Sequence, residues 1–163
     1  MSRFLITVLL ACSSVFAAAA ADIPQDPAAV MRESTRLVAM MQGQGMDAAI
    51  DAIIDLPNFI TMDRESDKSV LISNFGDGSP VATCFGGLSK RAAEHVGTLT
   101  SGDGYIKQVF FLNYTFGKIP VVLIWTRGDR GYYLVGIKMS GMAEGELNAL
   151  LTPTVEPKMD EKK

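Results

Sequence analysis

Cysteine is scarce in this sequence, and its distribution excludes a disulfide-stapled domain. The 163 residues include two cysteines, Cys12 and Cys84. Cys12 lies in an N-terminal segment that we expect to be removed, so Cys84 would remain as the only thiol and no intramolecular disulfide could form. Residues 81–85 resemble a strand, and we therefore expect Cys84 to be a small buried hydrophobic residue.

Positive charge is not in excess either. The chain carries 15 Lys and Arg against 18 Asp and Glu, a net charge of -3, and the basic residues form no cluster. This balance argues against nucleic acid as a partner, because phosphate binding requires a basic surface. A content of 48% hydrophobic and 20% charged residues fits one globular domain and excludes a disordered or repetitive chain.

No constellation of catalytic or metal-binding residues is recognisable. His95 is the only histidine, and general base catalysis would require a carboxylate that orients it. Glu94 precedes it directly, but neighbours on a helix do not face each other. We expect His95 to lie at the end of a short helix and to interact with its dipole. The methionines of residues 40–46 have helical spacing, which favours core packing over a copper site, so we expect no metal and no cofactor.

The longest apolar run stands at the N-terminus and predicts export. Arg3 precedes an apolar stretch, and small residues continue to Ala21, as in a bacterial secretory signal peptide. We expect residues 1–21 to be cleaved and the protein to be periplasmic or secreted. The run is too short to favour a permanent membrane helix, and its continuation beyond Cys12 makes a lipoprotein the weaker alternative. One domain would then span residues 22–151, followed by a flexible tail over residues 152–163.

Helix and strand signals alternate in the first part of this domain. Asp26 is a good N-cap, and Pro27 suits the first position of a helix. Apolar periodicity and glycine-marked turns predict two helices or one kinked helix, then a strand hairpin and a further short helix. The predicted elements are residues 27–41, 46–55, 68–75, 80–85 and 90–96.

The rest of the domain is organised around residues 105–139, which read as three strands separated by two glycine-marked turns. A two-residue turn at Gly117 and Lys118 would be closed by Phe116 and Ile119. Counting from it predicts one apolar face with the pairs Tyr114–Val121, Leu112–Leu123 and Phe110–Trp125. A following loop of odd length, with Gly131 in the left-handed conformation, would add four residues to that face. These are Tyr133, Val135, Ile137 and Met139. Because both faces are apolar, we expect helices on the first face and a partly polar pocket on the second.

The order of elements and several short strings resemble single Cache domains, which are PAS-like extracytoplasmic sensor domains of bacteria. The matching strings are residues 45–53, 71–74, 77–78, 81–82, 104–106, 117–118 and 133–137. This resemblance implies an α+β class and a PAS-like five-stranded antiparallel sheet. A long N-terminal helix and a short second helix would pack on one face of it.

The resemblance also implies a small-molecule ligand between the sheet and the loops over it. Family members commonly bind organic acids and often use a lysine and a tyrosine on the penultimate strand. That strand is apolar here, with Ile124 or Trp125 at the tyrosine position. A carboxylate removed from water needs a paired charge. Either the ligand is only weakly charged, or Lys107, Arg91 or Lys138 supplies the charge from elsewhere, or binding has been lost.

We therefore predict an exported, sensor-type ligand-binding domain that has no signalling output of its own and acts through a membrane-bound signalling partner. Asn113 and Thr126 would orient the ligand. The candidate pocket residues are Tyr105, Lys107, Phe111, Asn113, Ile124, Thr126 and Tyr132. One alternative is a protein-binding accessory or immunity-type periplasmic protein with a contact tip at residues 127–132. Another is an enzyme of the nuclear-transport-factor-2-like fold, which would require His95, an acid such as Asp103 and a tyrosine to meet in one cavity.

Overall fold

The computed structural model describes residues 23–151, so the predicted signal peptide and C-terminal tail lie outside the described residues. Five α-helices, four strands and a short 3-10 turn make up this part of the chain. The helices are α1 (Pro27–Gln44), α2 (Met46–Ile54), α3 (Arg64–Phe75), α4 (Pro80–Phe85) and α5 (Glu144–Leu151). The strands are β1 (Glu94–Ser101), β2 (Tyr105–Tyr114), β3 (Gly117–Gly128) and β4 (Gly131–Met139), and the 3-10 turn is Ser140–Ala143.

The strands form one antiparallel sheet in the order β1-β2-β3-β4. The α+β class is thus confirmed, whereas the prediction of five strands is wrong for the described residues. Asp26 caps α1 as the sequence predicted, by accepting a hydrogen bond from Ala29 N at 2.7 Å. Gly45, at φ +94°, separates α1 from α2. Gly suits this junction because its backbone adopts positive φ without a Cβ clash.

The predicted hairpin over residues 68–75 and 80–85 is the main error, since both segments are helical. Asp63 caps α3 by accepting from Ser66 N at 3.1 Å, and Ser79 caps α4 by accepting from Ala82 N at 3.3 Å. Pro80 occupies the first turn of α4, where its missing N–H costs nothing. These start signals outweigh the β-branched residues of α3, whose strand preference depends strongly on context.

A second error concerns residues 90–96, which do not form the predicted short helix. Residues 88–93 form a loop, and β1 begins at Glu94 and pairs with β2. The pairing register shifts between His95 and Gly97, so Val96 is a bulge residue. His95 therefore lies near the start of an edge strand rather than at the end of a helix.

The β2–β3 hairpin has the predicted faces but not the predicted register. Tyr114 pairs with Gly117, and Phe110 pairs with Val121, four residues from its expected partner Trp125. The turn is Thr115–Phe116, whose backbone N–H groups donate to Gly87 O at 3.0 Å and Phe85 O at 2.9 Å. These distant acceptors fix the turn two residues earlier than local rules predict. Because side chains alternate with period two, the four-residue slip leaves every side chain on its expected face.

The β3–β4 turn does not have the odd number of residues that the sequence predicted; the extra residue lies within β4 instead. Gly128 pairs with Gly131 across a two-residue turn, and the extra residue is a bulge at Val135. Gly131 has the predicted positive φ, at +125°. Ile137 and Met139 share the helix-covered face as predicted. Tyr132 and Leu134 take the places expected for Tyr133 and Val135 and are 2% and 0% exposed.

Both faces of the sheet are covered. The first packs against α1 and α2, as predicted, and there Trp125 Nε1 donates to the buried Ser34 Oγ at 2.9 Å. On the second face the 3-10 turn and α5 place Ala143 and Leu150 over Val109 and Val122. Across residues 23–151, none of the helices combines the length and apolar character needed to span a membrane.

Candidate functional site

A cavity of about 600 Å³ lies between α1 and the loop of residues 88–93. We call it the α1 cleft. Its floor is Phe110 of β2, and Val38 and Ala39 line it from α1. Leu88, Ala92 and Ala93 contribute further apolar surface from the loop, whereas Thr35, Gln42 and Ser89 add polar groups. The cleft thus lies on the helix-covered face of the sheet and not on the face where the sequence predicted a pocket.

Gln42 ties the two walls of the α1 cleft together. Its side-chain Oε1 accepts from Asn113 N at 2.8 Å, and its Nε2 donates to Asn113 O and to Ser89 O, each at 2.8 Å. One side chain of α1 therefore holds both the end of β2 and the loop. Such a wall needs little reorganisation when a ligand enters.

Asn113 completes the loop wall. Its Nδ2 donates to Ala92 O at 2.6 Å, and its backbone O accepts from Ser89 N at 2.8 Å. The side chain is buried, with 3% exposure. Asn113, predicted to orient a ligand directly, thus binds the loop that shapes the α1 cleft.

Two cations at the rim form no direct ion pair within the described chain. Lys90 and Arg91 line the cleft, are exposed, and form no ion pair with any residue between 23 and 151. The nearby Glu94 is occupied by Lys118, whose Nζ lies 2.6 and 2.8 Å from its two oxygens. These hydrogen bonds lower the pKa of Glu94, and the charge of Arg91 makes a smaller contribution. Arg91 also borders a second cavity of about 400 Å³ that Lys118 lines.

The second face carries the opposite arrangement, because two of its lysines are ion-paired within the chain. Lys107 Nζ and Lys138 Nζ both bind Glu146 Oε1 of α5, at 2.6 and 2.9 Å. The Glu146 side chain is 7% exposed. The hydrogen bond from Lys107, followed by that from Lys138, lowers the pKa of Glu146 to about 2. Lys107, which was expected to bind an acidic ligand, is therefore already bound to a carboxylate of the chain itself.

Four of the predicted pocket residues lie together beneath or beside α5. Ile124 belongs to the small core that Ala143 covers, and Tyr105 packs against that core. Lys107 Nζ stands 5.8 Å from the centre of the Tyr105 ring, and Thr126 pairs with Tyr105 across the strands.

The other three predicted pocket residues lie elsewhere. Phe111 is at the far end of the sheet, 5.9 Å from Lys118 Nζ, and Asn113 borders the loop of the α1 cleft. Tyr132 is on the opposite face, in the helix-covered core, where its hydroxyl donates to Asp103 O at 3.1 Å. The bulge at Val135 explains this inversion.

His95 and Asp103 do not meet. His95 Nε2 lies 3.0 Å from Gln108 Oε1, and its ring centre is 4.9 Å from that of Phe110. Asp103 follows the other end of β1, which places it roughly 20 Å away along the extended chain. The convergence that the enzyme alternative requires is therefore absent from these residues. Within the described ranges no group of three acidic, His or Cys side chains could hold a metal, and Cys84 is exposed on α4 rather than buried.

Sequence reasoning missed the α1 cleft because the segment that forms its wall was interpreted as a helix. One signal was present: Arg91 was among three cations considered for an acidic ligand. Comparison with protein-family models, curated proteins and solved structures gives no match for this chain. The resemblance to single Cache domains consequently rests on the short strings alone.

Proposed function

We propose that this chain is an exported small-molecule-binding domain whose ligand lies in the α1 cleft. The observation that carries the proposal is a cavity of about 600 Å³ with a mostly apolar lining and fixed walls. Ligand sites of proteins commonly have about 300–1,000 Å³ and combine apolar walls with a few placed polar groups. This volume therefore suits a metabolite-sized ligand.

The position of the α1 cleft suits a sensor-type role. Gln42 connects α1 to β2 and to the loop at residues 88–93, so a ligand between these walls would contact all three elements. With the export signal expected at residues 1–21, the domain would meet its ligand outside the cytoplasm and pass the signal to a membrane-bound partner. Binding would stabilise the observed arrangement of α1 and the loop against its opening, because a ligand that binds only the native state stabilises that state.

The proposal is tested by thermal unfolding across a library of small metabolites. A compound that binds the native state at 100 times its Kd stabilises it by about 2.7 kcal/mol, which raises Tm measurably. Ala39→Trp would fill the cleft from an exposed helical position and is expected to abolish the shift. Ala48→Trp is the matched control, because Ala48 is an exposed alanine on α2, away from the cleft.

Two results would count against the proposal. A library without any stabilising compound would favour the protein-binding alternative. A compound that stabilises Ala39→Trp as much as wild type would bind elsewhere. Circular dichroism of both variants checks that each retains the native helix content.

A further inference from the structure

We propose that the α1 cleft takes an amphiphilic organic anion, with its apolar body on Phe110 and its acidic head at Lys90 and Arg91. This inference rests on the proposed function and specifies the chemical class of its ligand. It comes from the way the fold distributes charge partners among the basic residues.

The first step is the pairing of the lysines near the sheet. Lys107 and Lys138 share the Glu146 carboxylate, and Lys118 is bound to Glu94. An incoming anion would compete with a carboxylate of the chain for each of them. Lys90 and Arg91 involve no such competition, since neither forms an ion pair within the described chain.

The second step is the sign of the charge at the cleft. Two of the described residues that line it are basic, and none of these lining residues is acidic. A cationic ligand would meet like charges, whereas a carboxylate or sulfate head would find charge-assisted hydrogen bonds. Arg91 can offer two parallel N–H donors to such a head, which a lysine cannot do.

The third step is the apolar part of the lining. Val38, Ala39, Leu88 and Phe110 line the cleft, and so do Ala92 and Ala93, which follow Arg91 in the chain. The neighbouring polar side chain of Gln42 already makes three hydrogen bonds within the protein. A highly hydroxylated ligand would therefore leave its polar groups unpaired in the cleft. An apolar chain or ring suits this lining better.

The experiment compares three probes with ten-carbon chains: decanoate, decan-1-ol and decyltrimethylammonium. The two ions are used below their micellar concentrations and the alcohol below its solubility limit. Binding to the purified protein is measured by the shift in Tm and by isothermal titration. We expect decanoate to bind best, decan-1-ol about tenfold more weakly, and decyltrimethylammonium not at all. Arg91→Gln should weaken decanoate about tenfold, as expected for loss of a charge-assisted hydrogen bond, and leave decan-1-ol unchanged.

Arg130→Gln serves as the matched control, because it removes one exposed arginine at the β3–β4 turn. It should leave the affinity for all three probes at the wild-type value. Equal affinity for decanoate and decan-1-ol, in wild type and in Arg91→Gln alike, would overturn the anion inference while leaving the cleft as a binding site. Binding of decanoate that persists in Ala39→Trp would overturn the site itself, and with it the proposed function.

Discussion

The buried carboxylate of Glu146 allows a quantitative test of how α5 closes the second face of the sheet. Glu146→Gln removes the negative charge while keeping the size of the side chain. Two lysine Nζ atoms lie 2.6 and 2.9 Å from one carboxylate oxygen, and the side chain is 7% exposed. The variant would leave both lysines close together without their shared counter-charge.

The magnitude follows from the pKa of Glu146, which falls from 4.5 to about 2. A shift of this size corresponds to about 3 kcal/mol of stabilisation of the charged form, as an upper limit. The lysine side chains remain 24% and 39% exposed, so solvent screens part of this interaction. We expect Glu146→Gln to lower the free energy of unfolding by about 2 kcal/mol at pH 7.

The pH dependence gives the second readout. Because the folded-state pKa of Glu146 is lowered, its contribution is fully present above the unfolded value of 4.5 and is lost as pH falls through about 2. The difference in unfolding free energy between wild type and Glu146→Gln should therefore shrink between pH 5 and pH 2. Urea titrations at several pH values, followed by circular dichroism, measure it.

Glu144→Gln is the matched control, since Glu144 is an exposed glutamate on the same helix. It should change stability by less than about 0.5 kcal/mol. The reasoning is refuted if Glu146→Gln unfolds at the same urea concentration as wild type at pH 7. A difference that stays constant down to pH 2 would equally show that the charge of Glu146 is not what stabilises α5.

Four further substitutions test the stability of other parts of the fold. Ser34→Ala should cost about 1–3 kcal/mol, because the buried Nε1 of Trp125 loses its acceptor; urea unfolding followed by the fluorescence of this sole tryptophan measures the loss. Gly131→Ala should destabilise the protein by roughly 1–3 kcal/mol in the same assay, since a Cβ at φ +125° is strained. Gly43→Ala should instead stabilise the protein by about 0.5–1 kcal/mol, because Gly43 lies in α1 with open space around it. Asn113→Leu should lower stability by about 1–3 kcal/mol by leaving the loop of the α1 cleft without a donor; an unchanged Tm in differential scanning calorimetry would contradict that role.

The alternating apolar pattern of residues 105–126 predicted which side chains share a face, but it could not predict the register. Period-two alternation is satisfied by any even shift of one strand against another. The choice among these shifts depends on hydrogen bonds from the β2–β3 turn to carbonyl groups at residues 85 and 87. Those acceptors are about 30 residues away in sequence, and no local turn rule includes them.

Residues 64–85 show a different limit of secondary-structure prediction from sequence. The apolar run of α3 suits a strand or a helix equally when it is considered alone, because short apolar runs carry no decisive periodicity. Its cap Asp63 and the Ser79–Pro80 start of α4 were visible in the sequence and would have predicted two helices. The hairpin prediction is wrong because residues 76–79 separate two capped helices and do not join two strands.

The location of the candidate site depends most on which basic residues form ion pairs in the folded chain. The sequence permitted Lys107, Arg91 and Lys138 equally as partners for an acidic ligand. Glu146 lies 39 residues from Lys107 in the chain, and only the docking of α5 brings the two together. With Lys107 and Lys138 both bound to Glu146, Arg91 is the member of the three that forms no ion pair within the described chain. A cation is therefore a candidate for ligand binding only after its partners in the folded chain are known, and this is why the site moves from the second face of the sheet to the α1 cleft.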